Sequence, residues 1–217
     1  MDQIHASFHG FIDELERLQV EYDIGCENIM KDHGAAQNAQ MIIGQREYDV
    51  VILPRSLECL DVTTVHLLKK YLASGGKVLS FAKDLKYIDG SQTNQFDQFA
   101  ETYQAQWIKV NSMLDSRVLN LIQSDAIQFN NLVNAKGTLY HHRRILDDGQ
   151  ILFLNNFNPQ ELAEGSLKIK GLSVHQLDLI SGEISPYPFE VAKEFVQIAY
   201  CLPAAGSLLL FVSPETA

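Results

Sequence analysis

From Leu139 to Glu183 the sequence alternates apolar and polar residues between closely spaced turn signals, whereas Tyr48 to Phe81 runs from an apolar stretch through a helical period to a second apolar stretch. A period of two and a period of 3.6 describe different elements, so two structural grammars follow one another along the chain. Asp148-Gly149 lies between two apolar-rich runs, and Asp-Gly is a strong hairpin signal because glycine tolerates positive φ. Ser181-Gly182 repeats the device before Glu183 and Ile184. Turns so close together leave chain for strands and little room for an active site.

The other stretch reads as a strand–helix–strand unit. Val50-Val51-Ile52-Leu53 is wholly apolar and is stopped by Pro54, as expected of a strand covered on both faces. Arg55 falls in the loop that follows. Asp61 is placed to cap a helix whose Val62, Val65, Leu68 and Leu72 face inward, and Gly75-Gly76 offers a left-handed exit before a strand over Val78 to Phe81. Upstream, Ile4, Phe8, Phe11, Ile12, Leu15 and Leu18 recur at steps of three and four, which predicts an amphipathic helix ending before Tyr22. Asn38 to Ile43 and Tyr48 to Leu53 are expected as strands for it to cover. A helix over Gln95 to Ala105, a strand over Trp107 to Val110 and a helix over Leu114 to Ile122 complete this half.

After Ala126 the helical period gives way to strands, expected at Thr138 to Leu146, Gln150 to Asn155, Ser166 to Ile169, Val174 to Leu179, Phe195 to Leu202 and Ser207 to Val212. The expected fold class is therefore α/β. A Rossmann- or flavodoxin-like parallel-sheet domain over residues 1–125 precedes an antiparallel β-sandwich-like domain over residues 126–217.

Composition narrows the partners. The 17 Lys and Arg against 27 Asp and Glu give a net charge of -10, which argues against nucleic acid or an anionic membrane, since both require a positive footprint. No apolar run approaches the roughly 20 residues of a membrane span, and Met1 to Leu18 carries acidic residues where a signal peptide would have a basic start. Cys26, Cys59 and Cys201 are odd in number and widely spaced. They fit neither a disulfide framework nor a zinc site and are expected as small buried hydrophobes.

Several stretches together carry a family resemblance: Tyr22-Asp23-Ile24, Tyr48-Asp49-Val50-Val51-Ile52-Leu53-Pro54, Gly75-Gly76-Lys77-Val78, and His142-Arg143 followed by Asp148-Gly149 and Phe153-Leu154-Asn155-Asn156. Asp178 with Ser181-Gly182-Glu183 and the closing Leu202-Pro203-Ala204-Ala205-Gly206-Ser207 complete it. In order and spacing they resemble the C-terminal region of large bacterial α-L-rhamnosidase-type glycoside hydrolases. The first half also resembles the class I glutamine-amidotransferase-like domains of β-galactosidases. The resemblance implies a non-catalytic accessory region acting within an enzyme of plant or microbial polysaccharide, usually exported. Its partners would be the adjoining catalytic (β/α)-barrel of the parent chain and carbohydrate, with no cofactor. It transfers architecture and no catalytic residue, because the carboxylates of such enzymes sit on the barrel.

The residues leave two other classes open, a free-standing amidotransferase-like hydrolase and a carbohydrate-binding module. The first requires a nucleophile on a strained Gly-x-Cys-x-Gly turn. Gly25-Cys26-Glu27 lacks the second glycine, and Cys59 has no adjacent base. His5 and His9 share a helical face at i, i+4 without an identifiable third ligand, so no metal site is assigned. In His141-His142-Arg143-Arg144 only one His and one Arg can share a strand face, and a structural polar network joining the two halves is expected there. Asp147-Asp148 and Asp13-Glu14 are sequence neighbours explained by solvation rather than a glycosidase pair, which needs about 5 to 10 Å across a sugar. Trp107 is a weak candidate for a sugar platform. No glycine-rich nucleotide motif is present. The expected catalytic, cofactor and metal residues are accordingly none.

Overall fold

The computed structural model describes residues 2–130 and 136–216. The chain divides into two compact units, Met1–Glu14 with Tyr22–Ile122, and Leu15–Glu21 with Gln123–Ala217. From the N-terminus come α1 (Asp2–Arg17), α2 (Glu27–His33), β1 (Gly34–Gln37), β2 (Gln40–Ile43), β3 (Arg46–Tyr48), β4 (Val50–Leu53), β5 (Cys59–Leu60) and α3 (Val62–Ala73). β6 (Lys77–Ser80), β7 (Tyr87–Ile88), β8 (Ser91–Gln92), α4 (Gln95–Thr102), β9 (Trp107–Lys109) and α5 (Ser116–Ile122) follow.

The first unit is built on a three-stranded parallel sheet in the order β4-β6-β9, with Val51 opposite Val78 and Val78 opposite Trp107. Of the two strands expected before Pro54, only Val50–Leu53 joins it. Gln40–Ile43 belongs instead to an antiparallel sheet, β1-β2-β3. Asn38 and Ala39 both take positive φ, 52° and 61°, so the expected strand start is a two-residue hairpin turn. Asp89-Gly90, at 46° and 75°, makes the same turn between β7 and β8. That is an Asp-Gly hairpin passed over in the sequence.

Helix α3 buries Val65, Leu68 and Leu72 as its spacing predicts, and also Thr64, Leu67 and Tyr71, while Val62 is 39% exposed. Asp61 occupies the N-cap position but makes no side-chain cap. Asp89 accepts from the Val62 N–H at 3.1 Å, and Glu27 accepts from the Asp61 N–H at 2.8 Å. Carboxylates distant in sequence thus satisfy the orphan donors. Tyr71 is fully buried. Its hydroxyl donates toward Asp49 O (2.6 Å) and Lys77 O (3.2 Å) and accepts from Lys77 N (3.0 Å). One phenol therefore holds the starts of β4 and β6 to the helix between them, and burial pushes its pKa up to about 12. Gly76 permits this contact, because a Cβ there would lie 2.1 Å from the Tyr71 ring. Phe96, Phe99 and Trp107 fill the same core.

The second unit has β10 (Ile127–Asn130), β11 (Leu139–Leu146), β12 (Gly149–Asn156), β13 (Ala163–Lys170), β14 (Ser173–Leu177), β15 (Ile184–Pro186), β16 (Glu190–Ala192), β17 (Phe195–Leu202) and β18 (Ser207–Ser213). They form two antiparallel sheets, β10-β13-β17-β16 and β11-β12-β18-β14-β15. One core draws on both: Leu152, Leu154, Val174, Leu208, Leu210 and Val212 meet Ile127, Leu167, Ile169, Val196, Ile198, Tyr200 and Leu202. Strict alternation produces it, as in β17, where Val196, Ile198, Tyr200 and Leu202 are buried and Gln197, Ala199 and Cys201 are exposed.

The β11–β12 hairpin corrects one detail of the turn chemistry. Leu146 pairs with Gly149, so the loop is Asp147-Asp148 and Gly149 is already in the strand. Gly149 does not take positive φ. It is required by close approach, since a Cβ would meet Phe211 Cζ and Val212 O at 2.7 Å.

The Tyr71 hydroxyl generates a prediction. Tyr71→Phe leaves part-buried backbone groups of Asp49 and Lys77 short of a partner and should lower stability by about 1 kcal/mol, read as the shift of a urea unfolding midpoint at constant slope. An unchanged midpoint would show that these groups find other partners.

Candidate functional site

Three arrangements of polar and aromatic side chains stand out. The first lies at the carboxyl ends of the parallel strands, where open α/β sheets present their crevice. A cleft of about 260 Å³ is lined by Ser80, Phe81, Ala82 and Lys83 after β6 and by Lys109, Val110 and Asn111 after β9. In the loop after β4, Arg55 forks onto Glu14, Nη1 to Oε1 at 3.0 Å and Nη2 to Oε2 at 2.7 Å. Its guanidinium lies 5.2 Å from the Phe11 ring centroid and 5.6 Å from that of Phe81. Planar charge stacked on two rings and bound at both forks is a rigid arrangement. It commits Glu14 to a structural ion pair.

The second is a polar cluster in the β unit. Alternation along β11 sets His141 and Arg143 opposite the buried Leu154 and Leu152, and His142 and Arg144 on the other face. Arg143 donates to Glu21 from Nε (2.7 Å) and Nη2 (2.5 Å), and from Nη1 to Gln150 Oε1 at 3.1 Å. Gln150 passes the chain on to Lys170 O. Gln19 stands at φ 55°, and its amide nitrogen donates to Glu16 O and Leu139 O while its oxygen meets His141 Nδ1 at 2.9 Å. With both amide hydrogens used, Gln19 is the acceptor and Nδ1 carries the proton. The opposite nitrogen, Nε2, is buried without a hydrogen bond, 3.8 Å from Glu21 Oε1.

Burial alone would raise the Glu21 pKa, but the two hydrogen bonds and the charge of Arg143, with His141 close by, outweigh it and hold the carboxyl at about 2. A carboxylate so stabilised in its ionised form cannot serve as a general acid near neutrality. Polar contacts expected at His141 to Arg144 do form, but with Gln19 and Glu21, some 120 residues upstream and in the same compact unit, so they are internal to that unit rather than the expected join between two halves. No sequence signal links residues that far apart.

The third is aromatic. Tyr140 and Phe157 pack with ring centroids 5.8 Å apart, and Phe157 is 69% exposed. Register places Tyr140 opposite Asn155 and His142 opposite Phe153 on that same face of β11 and β12. Trp107, by contrast, is 4% exposed and packs on Phe96 and Phe99, so it is core and not a sugar platform.

The remaining candidates separate. Cys26, Cys59 and Cys201 are all exposed rather than buried; Cys201 falls on an outward position of β17, and Cys59 accepts from Gly90 N–H. Asp147 and Asp148 are exposed in their hairpin loop and Asp13 is exposed on α1. His5 and His9 converge on α1, with ring centroids 4.4 Å apart. Among the described residues no helix is long and apolar enough to cross a membrane.

No protein-family model matches the sequence, and no curated protein sequence does. Solved structures do. The chain is similar to a rhamnosidase from Novosphingobium sp. PP1Y, with a TM-score of 0.66 and 13% identity over 92% of this chain and 20% of that one. It is similar to an exo-carrageenase, GH42, from Bacteroides ovatus, with a TM-score of 0.52 and 15% identity over 94% of this chain and 26% of the other. A third likeness is to α-L-fucosidase isoenzyme 2 from Paenibacillus thiaminolyticus, with a TM-score of 0.54 and 12% identity over 95% and 45% respectively. At these identities the likeness is one of fold. The chain shares its mixed α/β and β-rich fold with part of each of these enzymes, and it spans less than half of each.

The Glu21 carboxyl sets a pH dependence. Its pKa lies below its ordinary 4.5, at about 2, so the stability it contributes is complete above pH 4.5 and is lost as pH falls toward 2. Glu21→Gln should be less stable than wild type at pH 7 and should lack that part of the acid loss, so the two unfolding midpoints converge near pH 2. Parallel curves from pH 7 to pH 2 would contradict the assignment.

Proposed function

We propose that this chain is a non-catalytic accessory region of a large bacterial glycoside hydrolase acting on plant or microbial polysaccharide, and that it buttresses a catalytic barrel belonging to the same parent protein. The observation that carries this reading is the asymmetry of coverage: 92–95% of this chain corresponds to only 20–45% of three enzymes named for different sugars. A segment common to enzymes of different specificity is suited to supporting a catalytic domain rather than to choosing the substrate. The commitment of Glu14 to Arg55 and of Glu21 to Arg143 supports the same reading, since glycoside hydrolysis needs one carboxyl free to donate a proton and another free to attack or activate water. For the finer lineage we infer a rhamnosidase-type parent and a flavodoxin-like, amidotransferase-like first domain, over about residues 1–125. The parallel pairing of β4 with β6 across α3 supports it. Incubated with aryl α-L-rhamnosides, α-L-fucosides and β-D-galactosides, the isolated chain should give no turnover above buffer. Turnover abolished by a single Asp or Glu substitution in this chain would overturn the proposal.

A second reading is favoured by the Tyr140–Phe157 pair. An exposed ring beside a half-buried one, with Asn155 and His142 on the same face, offers an apolar floor with polar neighbours of the kind that neutral sugars use. The β unit would then also contact the polysaccharide. Mobility in native gels containing soluble polysaccharides rich in rhamnose, fucose or galactose should be retarded for wild type, and Phe157→Ala should abolish the retardation. Equal retardation of both proteins would remove this reading and leave the first intact.

A further inference from the structure

The geometry points to a metal-binding clasp on the first half of α1, formed by His5 and His9 and suited to a late first-row divalent cation. Spacing of four residues places the two side chains on one helical face, but spacing does not say where the ring nitrogens go. In the structure the ring planes are 17° apart with 4.4 Å between centroids, and the two Nε2 atoms face each other at 2.5 Å. Two nitrogens at that separation cannot both carry a proton, so at least one presents a lone pair to the other. A cation bound by both imidazoles at about 2.0–2.1 Å in a cis arrangement holds the nitrogens roughly 3 Å apart. Binding therefore requires the nitrogens to open by about half an ångström and both rings to turn so that their lone pairs converge on one point, through χ changes of two exposed side chains.

Imidazole is a ligand of intermediate softness, and a nitrogen pair of this kind ranks nickel, copper and zinc above manganese or magnesium. The net charge of -10 raises the local concentration of cations around the protein. Among the described residues no group of three or more His, Cys, Asp or Glu side chains converges. The remaining coordination positions thus go to water or to a ligand from outside, and the cation is held in a labile, two-nitrogen site. Bridging residues one turn apart, it clasps the helix that also supplies Phe11 and Glu14 to Arg55.

Calorimetric titration of the full chain with Ni²⁺ tests this, with Cu²⁺ electron paramagnetic resonance reporting the number of bound nitrogens. The expected result is one site per chain, two nitrogens in the Cu²⁺ spectrum and a raised unfolding temperature with the metal present. His5→Ala and His9→Ala should each weaken binding about tenfold or more, because the second imidazole acts at high effective concentration once the first is bound. The double variant Ala6→His/His9→Ala keeps all seven histidines of the chain but places the two on α1 at i, i+1, where they do not face each other. It should bind no better than the single variants. All four proteins share exposed substitution sites, and circular dichroism verifies that their helix content is equal. Absence of a Ni²⁺ site in wild type, or affinity undiminished in either single variant or in the double variant, would overturn the assignment.

Discussion

The bidentate contact between Glu21 and Arg143 is the constraint around which the second unit closes. That unit is discontinuous in sequence, since Leu15–Glu21 belongs to it although more than a hundred residues intervene before Gln123. Holding a short segment so remote in sequence to a sheet carries a loop-closure cost that rises slowly with loop length. The fork from Arg143, the Gln19 amide on Leu139 O and His141, and the relay through Gln150 to Lys170 O repay it at one place. The contact is also selective. A guanidinium matches a carboxylate in two parallel bonds, so it fixes direction as well as proximity. Gln19 accepts a left-handed backbone, φ 55°, in order to reach its three partners, a local strain that persists because its surroundings over-determine it.

In the first unit the corresponding device is Tyr71. Parallel strands need a crossover, and the crossover helix must be anchored at the strand starts as well as packed on their faces. The Tyr71 hydroxyl reaches Asp49 O ahead of β4 and both polar groups of Lys77 at the head of β6, while its ring occupies the space that Gly76 leaves open. Packing and hydrogen bonding are here properties of one side chain. Arg55 plays a comparable part near the opposite strand ends, where its charge is matched by Glu14 and its plane by Phe11 and Phe81.

Four acidic side chains are engaged in structure: Glu14 and Glu21 with arginines, Asp89 and Glu27 with N–H groups around the start of α3. What is left outward is different in kind. Tyr140 with Phe157 forms an aromatic pair, and His5 with His9 forms a pair of ring nitrogens.

The sequence by itself determined the elements whose signal is periodic. Val50–Leu53, the buried stripe of α3 and the strand Phe195–Leu202 follow from apolar spacing, because burial of one face or of both is a local property of pattern. It also showed the change from a helical to a two-residue period along the chain. Tertiary structure alone decided what satisfies each polar group. Asp61 sits at a cap position yet Asp89 does the capping; Gly149 reads as a turn residue yet is needed because Phe211 and Val212 crowd it; Cys59 and Cys201 read as core yet face outward. Glu21 and Gln19 carried no mark of the partners waiting at 143 and 141. Hydrophobic burial is averaged over many contacts and tolerates error in each, whereas a hydrogen bond depends on the position of two atoms to within a few tenths of an ångström. That position is set by the whole fold and not by the neighbours along the chain.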